Sequence, residues 1–306
     1  MKIAVFGVGG VGGFVGGALA KVHSDTFFYV RGKNLEAICQ KGLRVRSPLL
    51  GDFTVQPRMS TDQACEIGIM DVVLLACKGC HLEEACKAIL PMVGEQTIIL
   101  TLLNGVLVSD LIASWLPPCT IADGVIRVSS RLAEPGMILH ESASCSIAFG
   151  MKNGESLARL DELAALLCEA GFQAQVSNCI LLDCWKKYAS MSSNSVAYLY
   201  YDGPAGVVRQ APDYKRVLNE VVSSAIHIAC AMGTRLPDTL VRQYLEDFEK
   251  FPLETTTSLY RDLKSGKAPE HTELHHIIGR IVEWGAETGI PVPYHQAVYN
   301  RYKVST

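Results

Sequence analysis

The sequence lacks any apolar run that approaches the about 18 residues needed to cross a bilayer. Its glycine-rich N-terminus, behind Lys2, also lacks the small-residue pattern of a cleaved secretion signal. Neither sign of charge dominates, since 28 Lys and Arg stand against 31 Asp and Glu. That balance argues against electrostatic binding of nucleic acid or anionic membrane. We therefore expect a cytoplasmic protein with neither kind of partner.

A disulfide framework is also missing, although the chain has eleven cysteines. Their number is odd, and most lie in apolar segments, as Cys168 and Cys230 do, so a reducing compartment suits them. The segment Cys77-Lys78-Gly79-Cys80-His81 matches a haem-attachment pattern and contains a CxxC. A zinc site would need a second ligand pair, which we do not find. We favour coincidence and predict no metal, while a redox or haem role for Cys77 and Cys80 stays open.

What the chain does have is a large apolar fraction, 49% of 306 residues, with only 19% charged residues. This composition supports a sizeable core and does not indicate disorder. In the first half, nearly continuous apolar runs alternate with helical patterns, which is typical of βαβ units around a parallel sheet. These runs predict strands at Lys2–Phe6, Thr26–Val30, Asp71–Ala76 and Thr97–Thr101, and later, shorter ones at Val125–Ser129, Met137–His140, Cys145–Phe149 and Gln173–Val176.

Strand signals stop near residue 179, and helical periodicity continues from there. Helices are predicted at Leu181–Tyr200, Asp213–Met232, Asp238–Lys250, Glu254–Lys264 and Thr272–Thr288. We therefore predict an α/β chain with a Rossmann-like dinucleotide-binding domain at residues 1–178 and an all-helical substrate domain at residues 179–306.

A glycine-rich turn follows the first predicted strand. Gly7-Val8-Gly9-Gly10-Val11-Gly12 has the spacing GxGxxG between a strand and a helix. In such a turn the first glycine makes the bend, the second lets the backbone approach a pyrophosphate, and the third lets helix pack on strand. The pattern predicts dinucleotide binding by these six residues. The alternative is a glycine-rich turn with no ligand.

The end of the second strand indicates which dinucleotide is bound. A carboxylate there would bind the ribose 2′-hydroxyl of NAD, but this strand ends in Tyr29-Val30-Arg31-Gly32-Lys33, with two cations instead. A guanidinium matches a 2′-phosphate bidentately. We therefore predict NADP(H) on Arg31, against the alternative of a solvated surface arginine.

Two further strands end in polar residues. Lys78 follows the strand Asp71–Ala76, and Asn104 follows Thr97–Thr101. Ligands of open parallel sheets bind beyond the carboxyl ends of the strands, so both side chains have a reason to face a ligand. Taken alone, each would more often be a surface lysine and a turn asparagine.

In this order along the chain, the glycine turn, Arg31, Lys78, Leu103-Asn104-Gly105 and Trp185-Lys186-Lys187 resemble the ketopantoate reductase family. Ser258-Leu259-Tyr260-Arg261-Asp262 and Thr272-Glu273 extend the resemblance over almost the whole chain. The resemblance implies an active site in a cleft between a Rossmann-like and a helical domain. It also implies reduction of ketopantoate to pantoate by NADPH, on the route to pantothenate and coenzyme A.

The resemblance further implies a role for each matching residue. Lys187 corresponds to the catalytic lysine, whose ammonium would stabilise and protonate the oxygen of the reduced ketone. Lys78 and Asn104 would contact cofactor and substrate, and Ser258 the substrate carboxylate. Glu273 would bind the substrate hydroxyl or pair with the lysine. Without the resemblance, each of these is an ordinary surface or helix residue.

The match departs from the family in the expected substrate pocket. The family often has asparagines four and eight residues after the catalytic lysine, where this chain has Met191 and Ser195. Asn194 is adjacent, but on a regular helix it points about 100° away from Ser195. We keep Ser195 as an expected substrate contact. A longer loop before Glu273 leaves Glu270 as the alternative carboxylate, and His81 replaces a frequent glutamine.

These departures change expected substrate contacts and leave the cofactor turn and the lysine intact. We predict an NADPH-dependent reductase of a small 2-keto acid, with ketopantoate as the best single substrate. The alternatives are a relative that reduces another 2-keto acid and a protein that senses NADP(H) without turnover. A homodimer is compatible with the sequence, which does not determine the oligomeric state.

Overall fold

A computed structural model describes residues 1–303, and they form two compact units. The first unit comprises Met1–Leu103 and Leu107–Ile180, and the second comprises Asn104–Val106 and the residues from Leu181 onward. The sequence predicts a division near residue 178 but not the short excursion through Asn104–Val106. No helix in the described residues combines the length and the apolar character that a membrane span requires.

Across residues 1–303, twelve strands, all in the first unit, make up two sheets. In chain order they are β1 (Ile3–Phe6), β2 (Thr26–Tyr29), β3 (Leu43–Arg46), β4 (Phe53–Val55), β5 (Met59–Thr61), β6 (Val72–Leu75), β7 (Ile98–Thr101), β8 (Thr120–Arg127), β9 (Ser130–Glu134), β10 (Met137–His140), β11 (Ser146–Gly150) and β12 (Gln173–Val176).

The larger sheet has the order β12-β11-β8-β7-β6-β1-β2-β5, and every neighbouring pair except β11 and β8 is parallel. Strands β1, β2, β6 and β7 are buried along their whole length, as their unbroken apolar sequences predict for a sheet covered on both faces. The prediction of an α/β fold with an N-terminal parallel sheet and a helical C-terminal region is confirmed.

Within the described residues, thirteen α-helices accompany the strands. They are α1 (Gly10–Val22), α2 (Gly32–Lys41), α3 (Ala64–Ile67), α4 (Leu82–Ile89), α5 (Val108–Ala113), α6 (Ala158–Glu169), α7 (Ile180–Tyr200), α8 (Ala205–Gln210), α9 (Tyr214–Ala231), α10 (Leu240–Lys250), α11 (Ser258–Lys264), α12 (Arg280–Thr288) and α13 (Pro293–Tyr302). Short 3-10 turns lie at Gly79–His81, Leu90–Met92 and Pro269–His271, and a π-helix lies at His275–Gly279.

The smaller sheet, of order β4-β3-β10-β9, was only partly predicted from the sequence. Its strand β3 alternates buried Leu43 and Val45 with exposed arginines, too short a period-two pattern to stand out. Helix α1 packs between this sheet and the larger one. A Cβ at Gly13 would lie 2.6 Å from Ile138 in β10, and a Cβ at Gly16 would lie 2.9 Å from Phe28 in β2. Gly13 and Gly16 therefore let α1 contact both sheets closely.

In the helical unit, two predicted helices differ from the prediction in their first turns. The predicted helix Glu254–Lys264 begins at Ser258, because Thr257 caps it by accepting a hydrogen bond from the Tyr260 N–H at 3.3 Å. The predicted helix Thr272–Thr288 has π-helical geometry over His275–Gly279 before α12 begins. Single-turn π segments occur frequently at functional sites.

Candidate active site

The three glycines of the GxGxxG turn differ in how much space surrounds them. Gly7 has a φ of +95°, and a Cβ there would lie 3.0 Å from the backbone carbonyl of Ala76. A Cβ at Gly12 would collide with the carbonyl oxygen of Gly7. A Cβ at Gly9 would meet no atom within 4 Å. The fold itself therefore requires glycine at positions 7 and 12, whereas at position 9 the glycine leaves space open.

That open space belongs to a cavity of about 280 Å³ at the carboxyl ends of β1, β2 and β6. Strand β1 lies between β2 and β6, which follow it in the chain on opposite sides, so the cavity lies at the topological switch point where α/β sheets bind ligands. The cavity is lined by Phe6, Gly7, Val8, Gly9, Tyr29, Val30, Arg31, Asn34, Ala76, Cys77, Lys78, His81, Glu84, Ala85 and Ala88.

The turn suits the diphosphate of a dinucleotide. Helix α1 begins at Gly10 with Gly9 as its N-cap, no side chain caps it, and its first turn has no acidic residue. The first N–H groups of a helix have no partner within the helix and, with the helix dipole, favour an anion. Residues Gly9–Gly12 would hold the diphosphate, and the missing Cβ at Gly9 leaves it room.

Asn34, which the sequence analysis does not single out, braces this turn. Its Nδ2 donates to the carbonyl oxygen of Val8 at 2.8 Å, and its Oδ1 accepts from the N–H of Gly136 at 2.7 Å. The side chain thereby links the glycine turn to the hairpin that joins β9 and β10. Nothing in the local sequence pattern distinguishes this asparagine from an ordinary helix-start residue.

Arg31 lies on the cavity wall at the end of β2, where the sequence places it. Its Nη1 makes an ion pair with Oε1 of Glu84, in the first turn of α4, at 3.1 Å. Oε2 of Glu84 lies 3.9 Å from His81 Nδ1. The side chains of Arg31 and Glu84 are 58% and 63% exposed, so a ligand in the cavity can reach both. The pairing with Glu84 was not predicted.

Lys78 is an exposed residue that lines the same cavity, beyond β6. Cys77 lines it too, and Cys80 lies in the adjacent 3-10 turn. Within residues 1–303, no group of three or more His, Cys, Asp or Glu side chains is placed to hold a metal ion. The glycine turn, Arg31 and Lys78 thus share one cavity, and the contacts predicted for them with a cofactor remain predictions.

In the helical unit, two predicted site residues are in direct contact. Nζ of Lys187, on α7, donates a hydrogen bond to Oδ1 of Asn104 at 2.8 Å, and both residues are half-buried. Asn104 is followed by Gly105 with a φ of +146° and Leu107 with a φ of +59°. A non-glycine residue rarely adopts such a φ, and strain of this kind concentrates at functional sites. The bond holds the ammonium in place on one side.

Tyr188, next to Lys187, anchors α7 to the π-helix. Its hydroxyl lies 2.8 Å from the carbonyl oxygen of His276 and 3.1 Å from that of Ile277, and donates to them. A π segment replaces i→i−4 bonds by i→i−5 bonds, as from the Arg280 N–H to the His275 carbonyl oxygen, and the tyrosine hydroxyl adds a donor to the next two carbonyls. Burial raises the pKa of Tyr188, which keeps the hydroxyl protonated as a donor. The helix that bears Lys187 is therefore fixed to the segment that follows Glu273.

The two positions at which the family often has asparagine are turned to the inside of the helical unit. Met191 packs against its hydrophobic core. Ser195 is fully buried, and its hydroxyl lies 2.9 Å from the Met191 carbonyl oxygen and 3.3 Å from Thr257 Oγ1. Asn194 accepts a hydrogen bond from the buried Tyr244 hydroxyl at 3.0 Å. Direct substrate contact by Ser195 remains a prediction.

Ser258 and Glu273 differ in their surroundings. Ser258 is exposed at the first position of α11, beside Thr257. Glu273 is half-buried just before the π-helix, whereas Glu270 is exposed in a 3-10 turn. Of the two carboxylates considered from the sequence, Glu273 has the more sheltered position. The substrate-binding and catalytic roles of Ser258 and Glu273 remain predictions.

Comparison with known proteins covers both halves of the chain. The family model described as Ketopantoate reductase PanE/ApbA matches residues 3–154. The model of the C-terminal part of the same family matches residues 179–305. Together the two models extend over nearly the whole sequence.

Individual relatives match over almost their full length. The uncharacterized oxidoreductase YkpB of Bacillus subtilis is 26% identical over 98% of this chain and 97% of its own. A 2-dehydropantoate 2-reductase of Mesorhizobium japonicum is 28% identical over 97% of this chain and 95% of its own. The crystal structure of a PanE/ApbA family ketopantoate reductase from Ralstonia eutropha superposes with a TM-score of 0.89 at 25% identity, covering 99% of this chain and 97% of that one.

Proposed function

The chain belongs to the ketopantoate reductase family, and from that premise we propose that it reduces 2-dehydropantoate to pantoate with NADPH, in pantothenate and coenzyme A biosynthesis. At the coarser level, it is an oxidoreductase that uses a nicotinamide cofactor and a small-molecule substrate. The proposal adds the identity of the substrate, the preference for NADPH and the roles of individual residues.

The observation that carries the proposal is the hydrogen bond from Lys187 to Asn104. A ketone that gains a hydride develops negative charge on its oxygen, and an adjacent ammonium stabilises this charge and can supply the proton. Asn104 occupies one of the three N–H donors of Lys187 and fixes the direction of the ammonium. We assign Lys187 as the general acid and Asn104 as the residue that orients it.

The cofactor would be held by the first unit. Residues Gly9–Gly12 would bind its diphosphate, and Arg31 and Lys78 would supply positive charge to the remaining phosphate and substrate groups. When bound, the reduced nicotinamide supplies the hydride. The chain's own contribution is to bind and orient the reactants and to deliver a proton from Lys187 Nζ. In this scheme Ser258 would bind the substrate carboxylate, and Glu273 its hydroxyl.

A second candidate is the reduction of a different 2-keto acid. Met191 packs on the core and Ser195 is buried, so neither supplies the side-chain amide that the family often has at these positions. Sites that hydrogen-bond a polar substrate group discriminate strongly, so the absence of such groups changes specificity. This candidate keeps the same cofactor site and the same general acid.

The test is NADPH oxidation by the purified protein with 2-dehydropantoate and with a panel of aliphatic and aromatic 2-keto acids. The highest kcat/KM with 2-dehydropantoate supports the main proposal, and a clearly higher value with another acid supports the second candidate. Tight NADPH binding without oxidation of NADPH by any acid would show a nucleotide-sensing protein and refute both. A parallel series with NADH measures the cofactor preference.

A further inference from the structure

Among the described residues that line the cofactor cavity, Glu84 is the only carboxylate, and it is paired with the arginine expected to bind a 2′-phosphate. We propose that Glu84 is a specificity-determining residue that competes with this phosphate for Arg31 and so narrows the preference for NADP(H) over NAD(H). The inference rests on the proposed function in one respect, the assignment of the cavity as the cofactor site.

The geometry places the competition at the position that distinguishes the two cofactors. Arg31 is the N-cap of α2 directly after β2, the strand end from which Rossmann-like domains contact the ribose 2′ position. Glu84 lies 53 residues further along the chain, and its Oε1 is 3.1 Å from Arg31 Nη1. The carboxylate thus occupies a donor of the guanidinium that a bidentate phosphate would use.

A 2′-phosphate should displace Glu84 from Arg31, so the ion pair weakens phosphate binding without preventing it. Both side chains are more than half exposed, and an ion pair of this kind adds little to stability. A phosphate carries more charge and binds both arms of the guanidinium, so it can displace the carboxylate. After displacement, Glu84 remains close to the phosphate and repels it. A ribose 2′-hydroxyl suffers no such repulsion and can donate to the carboxylate.

The neighbouring Glu83 offers a matched control. It lies on the same helix, α4, has a similar side-chain exposure of 56%, and is not among the residues that line the cavity. Its Oε1 accepts a hydrogen bond from Lys87 Nζ at 2.7 Å instead. Glu83→Gln therefore removes the same charge from the same helix without changing the environment of Arg31.

The experiment measures nucleotide binding by calorimetry in the full-length protein, without turnover. The probes are adenosine 2′,5′-bisphosphate and adenosine 5′-monophosphate, which differ only in the 2′-phosphate. Glu84→Gln should lower the Kd of the bisphosphate about fivefold, as expected for an exposed charge interaction. Glu84→Gln should leave the affinity for the monophosphate unchanged or slightly lower. Glu83→Gln should change the affinity for either nucleotide by no more than about twofold. An equal gain in both variants would indicate net charge alone and overturn the proposal.

A double-mutant cycle with Arg31→Ala tests whether the effect passes through the arginine. The gain in bisphosphate affinity from Glu84→Gln should be markedly smaller when Arg31 is replaced by alanine. A gain of unchanged size would show that Glu84 acts without Arg31 and would overturn the competition. If the wild type binds the bisphosphate but Glu84→Gln alters nothing, only this inference fails. If the wild type binds neither nucleotide, the cofactor assignment fails and the inference fails with it.

Discussion

The ammonium of Lys187 donates a 2.8 Å hydrogen bond to the side-chain oxygen of Asn104, a residue 83 positions away in the sequence. Sequence comparison with the family singled out each residue separately. Their contact gives the lysine a defined direction, since a flexible four-carbon side chain otherwise samples many rotamers. The loop Asn104–Val106 groups with the helical unit although it follows strand β7 of the first unit.

The first prediction concerns proton delivery by Lys187. Lys187→Ala should lower kcat by about 10²–10⁴-fold, the usual contribution of a general acid. NADPH binding should persist, because no residue of the glycine turn changes. Lys186→Ala is the matched control, since this half-buried lysine is adjacent on α7. Stopped-flow NADPH oxidation and fluorescence titration supply the two readouts. A variant at position 187 with wild-type turnover would remove the proposed general acid.

The second prediction separates two glycines of one turn. Gly12→Ala should destabilise the fold by about 1–3 kcal/mol, because its Cβ would collide with the Gly7 carbonyl oxygen. Gly9→Ala should cost less, about 0.5–1 kcal/mol, since its Cβ direction is open and only the weaker N-cap preference of alanine acts against it.

Gly9→Ala should nevertheless weaken NADPH binding about tenfold or more, because the methyl group fills the space through which a diphosphate approaches the backbone. Urea unfolding and NADPH titration measure the two effects in the same samples. Retention of wild-type NADPH affinity in Gly9→Ala would place the diphosphate elsewhere.

The third prediction concerns the anchor between α7 and the π-helix. Tyr188→Phe should lower the unfolding free energy by about 1–3 kcal/mol, because the buried hydroxyl that donates to the carbonyls of His276 and Ile277 is lost. Tyr201→Phe serves as the comparison: its hydroxyl donates to the Asp213 carboxylate, which is 41% exposed and can bond water instead. The loss of unfolding free energy in Tyr201→Phe should be clearly smaller than in Tyr188→Phe. Equal losses in the two variants would contradict the anchoring role of Tyr188.

The fourth prediction is a pH dependence of stability from His295. Burial lowers the pKa of His295 from 6.5 to about 3, and among the described residues neither ring nitrogen has a hydrogen-bond partner. As the pH falls below about 6.5, His295 binds a proton in the unfolded chain but not in the folded chain. This contribution to stability is therefore complete above that pH and declines as the pH drops towards 3.

Between pH 6.5 and 5 the decline attributable to His295 should reach about 2 kcal/mol. His295→Leu should flatten the pH profile of the unfolding free energy in this window. His227→Leu, at an exposed histidine on α9, should leave the slope as in the wild type. An unaltered slope in His295→Leu would show that this histidine does not titrate differently in the two states.

Much of the fold was predictable because its signals are local. The buried strands β1, β6 and β7 are continuous apolar runs, and the helical half shows sustained 3.6-residue periodicity. The smaller sheet was harder to predict, because its strands are three to five residues long and partly exposed. Its partners β3 and β10 lie far apart in the chain and pair in parallel, a contact with no signature in either segment.

The sequence by itself determined the strand–turn–helix with its glycines, the cations at the strand ends and the family resemblance that points to Lys187. Each of these depends on residue types at short, countable spacings. Only the tertiary structure decided that Asn104 contacts Lys187, that Glu84 pairs with Arg31 and that Ser195 contacts Thr257. These contacts join residues 53 to 83 positions apart. Their distances depend on how whole helices and strands pack, which no local pattern specifies.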